Sequence, residues 1–331
     1  MIERNVIMHL APIILFVYNR PEHTRRTVEA LLGNELASES ILYIYCDGPK
    51  TDASQDTLQA IQEVRNYAHS ITGFKEVIVK EQKVNKGLDP SEIDAITEVI
   101  NIHGTMISVE DDLITNRYFL RFMNEALVFY YNDKRVYAIG GYTDAISFPD
   151  NYPHNIFASY RAESCGWATW SNRWNKTEWD ETKYHIIQHP TRNQIRRFNR
   201  AGDDYYQMLL DKLQGRTDAW DIRWGHTIYL NEGIVVRPTK SLLYNIGFDG
   251  TGVHSGMVSQ SQVLAKTASL YDSKEYDLNL IPNIKVDKAV QKSLMDYFRI
   301  PMTPWRIRAK RYIKHRIKAF ILNIRNQIYH S

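Results

Sequence analysis

Cysteine is scarce. The 331 residues hold only Cys46 and Cys165, far apart, with no CxxC and no Cys/His metal spacing. That excludes a disulfide framework and a structural zinc site and fits a reducing compartment. Long apolar runs are missing as well: residues 13–18 fall far short of the ~20 that cross a bilayer. The opening residues Met1-Ile2-Glu3-Arg4-Asn5 lack the pattern of a signal peptide. No internal repeat or low-complexity tract stands out. The expectation is a cytoplasmic chain, peripheral on the inner face of the cell membrane. Acidic residues are absent from 299–331, which carries nine of the 41 basic ones. The remainder balances 32 basic against 38 acidic side chains, a mildly acidic body with a strongly basic tail.

What is present is an alternation. Apolar strand patterns at 12–18, 41–46, 76–80 and 105–109 are separated by helical spacing at 22–32, 56–69 and 91–102. Ser91 reads as the N-cap of the third helix, with Asp94 at the capping-box position. Four strands alternating with helices in about 110 residues predict an α/β fold with a mostly parallel, doubly wound sheet. Ligands of such sheets bind beyond the strand carboxyl ends, where Asn19-Arg20, Asp47 and Glu110-Asp111-Asp112 fall.

The second half is less regular. A helix is expected at 118–131, a strand at 136–140, and loops over a site at 152–179. Helix follows at 192–213, interrupted near Ala201-Gly202, and again at 220–230, then a strand at 234–237. A mobile loop is expected at 245–256, which holds four glycines. The boundaries predicted are a nucleotide-sugar-binding half at 1–134, an acceptor-side half at 135–260, a connecting segment at 261–298, and a basic amphipathic helix at 299–331.

Glu110-Asp111-Asp112 is the sharpest chemical signal. Three acids directly after an apolar strand repel one another unless a cation sits there. Mg²⁺ and Mn²⁺ accept oxygen ligands and take only one or two carboxylates, leaving positions for diphosphate and water. Such an ion stabilises a departing diphosphate. The same acids could instead cap a helix beginning near Asn116. Asp47 is placed to accept from a base or ribose, although Asp-Gly-Pro is also a plain turn. Lys86 precedes a helix and could face a base or phosphate. Asp221, in AWDIRW, is a candidate general base or a helix N-cap. His254, in the glycine-rich loop, could approach phosphate or metal, or be an ordinary surface histidine. Tyr and Trp, at 21 and seven residues, have flat faces suited to sugars and bases.

Taken in order, these segments resemble the animal N-acetylglucosaminyltransferase I family over roughly 10–257. The resemblance rests on 12–20, Cys46-Asp47, 87–113 ending in VEDDL, Phe119-Leu120-Arg121-Phe122, Ser164-Cys165-Gly166-Trp167, Trp220-Asp221, Arg237-Pro238 and 245–256. It implies a GT-A fold and inverting transfer from a UDP-sugar, UDP-N-acetylglucosamine being the candidate, to a hydroxyl. It also implies Asp112 as the ligand of Mn²⁺ or Mg²⁺, Glu110 and Asp111 facing ribose and sugar, Asp47 on uracil, and Asn19, Arg20 and Trp167 in the nucleotide-sugar site. The family has two consecutive acids after its tryptophan, the second being the base; here Ile222 holds that position. The base is then Asp221 or lies elsewhere. The start of the chain differs from the anchored animal enzymes and points to a bacterial relative that builds polysaccharide on a glycan or lipid-linked acceptor. A nucleotidyltransferase shares acidic α/β sites but carries a glycine- and lysine-rich first loop, which 12–26 lacks. A non-catalytic glycan-binding relative is the third reading.

In the tail, apolar residues from Trp305 to Ile328 recur with a helical period among seven Lys and Arg between 306 and 318. That pattern predicts a helix on an anionic membrane surface, each basic group adding ~1 kcal/mol. No nucleic-acid module accompanies the charge.

Overall fold

The computed structural model describes residues 10–247, 270–271 and 274–299. His254 and the predicted tail helix at 305–328 lie outside them.

The first half follows the sequence pattern closely. Strand β1 is Ile13–Val17, helix α1 Pro21–Leu32, β2 Ile41–Cys46, α2 Gln55–Ser70, β3 Glu76–Glu81, α3 Leu88–His103 and β4 Thr105–Glu110. Pro21 opens α1 where a missing N–H costs nothing. Ser54 caps α2 by accepting from the Thr57 amide at 3.2 Å. Helix α3 begins a turn earlier than its polar pattern suggests. Gly87, at φ 78°, supplies the left-handed entry that a side chain resists, so Ser91 lies inside the helix and caps nothing.

Beyond β4 come β5 Leu113–Thr115, α4 Phe119–Tyr130, β6 Val136–Gly140, β7 Ile156–Ser159, β8 Trp167–Trp170 and α5 Ser171–Trp174. The chain continues through α6 His185–Gln188, α7 Arg192–Phe198, α8 Tyr205–Leu213, α9 Asp221–Leu230, β9 Ile234–Pro238, β10 Leu243–Asn245 and α10 Lys288–Tyr297. The expected loops at 152–179 thus contain two strands of the main sheet. Their residues are buried throughout, so an aromatic-rich stretch that reads as a site wall serves the core.

The main sheet has eight strands in the order β3-β2-β1-β4-β8-β6-β9-β7. Pairing is parallel from β3 through β4 and again between β6 and β9. Strands β8 and β7 pair antiparallel to their neighbours. A two-stranded ladder, β5 with β10, lies apart. Successive residues of β1, β2 and β4 alternate between two cores. Ile13, Leu15, Leu42, Ile44, Ile107 and Val109 join one; Ile14, Tyr43, Tyr45 and Met106 join the other. Strands covered on both faces explain why β1 and β2 are apolar at every position, and β4 at Met106, Ile107 and Val109. No helix among the described residues is long and apolar enough to cross a membrane.

Candidate functional site at the strand carboxyl ends

Because β3, β2, β1 and β4 run parallel and adjacent, the residues that follow them converge at one edge. There a cavity of about 220 Å³ opens. Asn19, Arg20, Asp47, Glu110 and Asp111 line it. The wall also holds groups that sequence reasoning missed: Tyr45, Lys50, Gln82 and Asn85 at one side, Ser91 and Glu92 from α3, and Asp218.

At the β2 end the Asp47 carboxylate ties two loops together. Its Oδ1 accepts from the Gly48 amide at 2.7 Å and the Lys86 amide at 3.1 Å, and its Oδ2 from Asn85 Nδ2 at 2.8 Å. Lys86 is not on the cavity wall. Its ammonium pairs with Asp94 at 3.1 Å on the exposed side of α3.

At the β4 end, acids crowd around one cation. The Arg20 guanidinium bonds Asp111, and it contacts Asp112 Oδ2 at 3.0 Å. Its Nη1 is buried with no hydrogen-bond partner. Burial opposes the Arg20 charge, yet the two aspartates outweigh it and raise the pKa. Asp112 has its other oxygen, Oδ1, on Asn245 Nδ2 at 3.1 Å, and its carbonyl accepts from the Ile246 amide at 2.8 Å. Gly247 comes so close that a Cβ there would collide with the Asp112 carboxylate. Asp112 therefore lies under the 245–247 segment rather than on the cavity wall.

Burial pushes Asp111 up to about 6 against the pull of Arg20. Burial also drives Glu110 well above the carboxylate range, with Glu92 and Asp112 adding repulsion. Glu92, 3% exposed, is pushed up to about 8 by burial; the Trp220 hydrogen bond opposes that shift, and the charges of Asp221, Asp89 and Asp112 add to it. Of these four carboxyls, Asp111 and Asp112 contact the Arg20 guanidinium and Glu110 feels its charge. Among the described residues, no three His, Cys, Asp or Glu side chains are grouped to hold an ion by themselves.

Trp167 stands away from the cavity. It is 1% exposed and packs on Trp174, Trp220 and Trp224 at centroid distances of 5.7–5.9 Å. Asp221 opens α9 beside this cluster. Its Oδ1 is buried and unbonded, and burial raises its pKa. Ile222 is 1% exposed, packed with Tyr205, Leu209 and Leu210, so nothing at that position can exchange a proton.

A second ionic group lies nearby. Arg237 Nη1 is 3.3 Å from Asp144 and 3.2 Å from Glu163, and Arg161 holds Asp204 at 2.9 Å. Burial and the Asp144 charge push Glu163 up to about 8, and it also feels Asp221. The sequence offered Arg237 only as a family segment. Its acidic partners are up to 93 residues away and carry no local signature. Glu92 did have a signal: it heads the buried stripe Ala95, Ile96, Val99 and Ile100 of α3, an acid where the period demands an apolar residue.

No family model matches the sequence, and no curated protein does. Solved structures similar to the chain include S. aureus TarS 1–349, at 12% identity and a TM-score of 0.42, covering 71% of this chain and 60% of that one. The same fragment in complex with UDP-GlcNAc gives 15% identity and a TM-score of 0.36, over 71% and 58%. The mannosyltransferase PcManGT of Pyrobaculum calidifontis, in complex with GDP-Man and Mn²⁺, gives 13% identity and a TM-score of 0.38, over 67% and 72%. The match spans less than two thirds of the TarS chains.

Proposed function

We propose that the chain is a metal-dependent, inverting glycosyltransferase of GT-A type, moving a sugar from a UDP-sugar to a hydroxyl of a glycan or lipid-linked acceptor. The observation that carries this reading is the acid-lined cavity at the carboxyl ends of β1, β2 and β4, in which carboxylates outnumber cations. An anionic diphosphate enters such a cavity only together with positive charge. The donor set is all carboxylate and hard, which suits Mg²⁺ or Mn²⁺ bound through one or two protein oxygens, with the remaining positions left to phosphate and water. Glu110, on the cavity wall, would hold it, joined by Asp112 once its carboxylate is released from Arg20 and Asn245, and when bound it neutralises charge on the leaving diphosphate.

The nucleoside is assigned to the end of the cavity lined by Asp47, Asn85 and Lys50, and the sugar to the end lined by Glu110 and Glu92. In this reading residues 1–134 form the nucleotide-sugar half and 135–260 the acceptor-side half. Arg20 holds the Asp111 and Asp112 carboxylates in place. Asp221 is assigned as the base. Its unbonded Oδ1 takes the proton of the acceptor hydroxyl as the acceptor oxygen bonds the anomeric carbon. The anomeric carbon–phosphate oxygen bond breaks, and UDP departs with that electron pair. UDP-N-acetylglucosamine is the first donor to test.

Calorimetric titration with UDP-glucose, UDP-galactose, UDP-N-acetylglucosamine and GDP-mannose, each with Mn²⁺ and with EDTA, tests the reading. Binding and slow donor hydrolysis that need the ion and fall with Asp112→Asn are expected. A hydrolysis rate indifferent to EDTA overturns the metal assignment, and no binding by any donor overturns the function.

A further inference from the structure

Glu92 is the residue whose chemistry the assigned roles leave unexplained. It lies on the cavity wall beside Ser91, in the first turns of α3. One carboxylate oxygen, Oε2, accepts from Trp220 Nε1 at 2.6 Å. No other described residue is hydrogen-bonded to Glu92, which leaves Oε1 unpaired. The Ser91 hydroxyl is also buried without a partner. Lys212 and Arg223 both pair with Asp89, in the first turn of α3, and not with Glu92.

A group needed only to accept the Trp220 N–H would be better as a neutral amide. A carboxylate among Glu110, Asp112, Asp89 and Asp221 is the costliest choice for that task. Buried polar atoms left unpaired beside a cavity await donors from outside. A pyranose offers hydroxyl donors around its ring, and an acetamido sugar adds an N–H.

We propose that Glu92 and Ser91 bind the sugar ring of the donor. The free Glu92 oxygen accepts from a ring hydroxyl or amide, and Ser91 supplies a second hydrogen bond. Through Trp220, which immediately precedes α9, the other oxygen ties this subsite to the turn that carries Asp221. Glu92 thereby both reads the sugar and positions the start of α9. The inference rests on the nucleotide-sugar reading above.

The test compares wild type with Glu92→Gln in Mn²⁺ by calorimetry. UDP is one ligand; the other is whichever of UDP-glucose, UDP-galactose and UDP-N-acetylglucosamine wild type binds most tightly. The amide keeps an oxygen for Trp220, so the denaturation midpoint is expected to hold or rise. UDP affinity is expected to stay within about twofold, while the UDP-sugar weakens about 3–10-fold, as for loss of one hydrogen bond. Equal weakening of both ligands, or of neither, overturns the sugar contact while leaving the nucleotide reading intact. Wild type that binds neither ligand overturns both. Glu92→Ala separates the second role: loss of the Trp220 bond is expected to shift tryptophan emission and lower donor hydrolysis beyond the Gln variant. Identical Ala and Gln variants overturn the positioning role.

Discussion

Replacing Arg20 with Met removes the guanidinium that contacts both Asp111 and Asp112. At 3.0 Å and an effective dielectric constant near 20, each charge pair is worth about 5 kcal/mol before desolvation. Burying the guanidinium offsets much of this, and breaking such a buried pair costs about 3–5 kcal/mol net. The cost depends on pH in a definite direction. Asp111 already sits at about 6, above its ordinary value, and without Arg20 it moves higher. A carboxyl raised in the folded state gives its full stability below the unfolded pKa and loses it as pH rises through the folded one. The Met variant is therefore hurt most when Asp111 must ionise. Thermal unfolding with EDTA present is the assay. A Tm deficit of roughly 4–7 °C is expected at pH 8, shrinking by about half at pH 5.5, with Mn²⁺ recovering part of the loss at pH 8. A deficit that is equal at both pH values, or larger at pH 5.5, refutes the electrostatic account of Arg20.

Asp221→Asn is expected to lower kcat about 10²–10⁴-fold with donor affinity unchanged; an active variant shows that the base lies elsewhere, with Glu163 next to be changed. His226, buried and stacked on Tyr184 at 3.7 Å, has its pKa pushed down by burial to about 4. The unfolded chain protonates first as pH falls, so this stability is present above pH 6.5 and declines toward pH 4, by about 3 kcal/mol. Urea denaturation of wild type against His226→Phe at pH 7 and pH 4.5 reads it, and an unchanged difference between the two proteins refutes it. For residues 305–328, full-length protein is expected to co-sediment with anionic vesicles and a 1–300 truncation to remain in the supernatant; equal pelleting removes the membrane assignment.

The elements of the first half were legible because their signals are local. Period-2 and period-3.6 patterns, Pro21 at a helix start and Gly87 before another depend on neighbours within a turn or two. Parallel alternation then brings strand ends together, so Asn19, Arg20, Asp47, Glu110 and Asp111 reached one cavity from pattern alone. Trp167 shows where this reading stops: an aromatic suits a sugar or a core equally, and only packing against Trp174, Trp220 and Trp224 decides.

The sequence by itself determined the α/β alternation and the polar edge, since both follow from residues close along the chain. Tertiary structure alone decided how the acids are shared. Asn245 reaches Asp112 from 133 residues away, and Trp220 reaches Glu92 from 128. Such contacts depend on how distant elements dock. That docking, through charge repulsion and lost solvent, sets which carboxyls are paired and which remain open to a ligand.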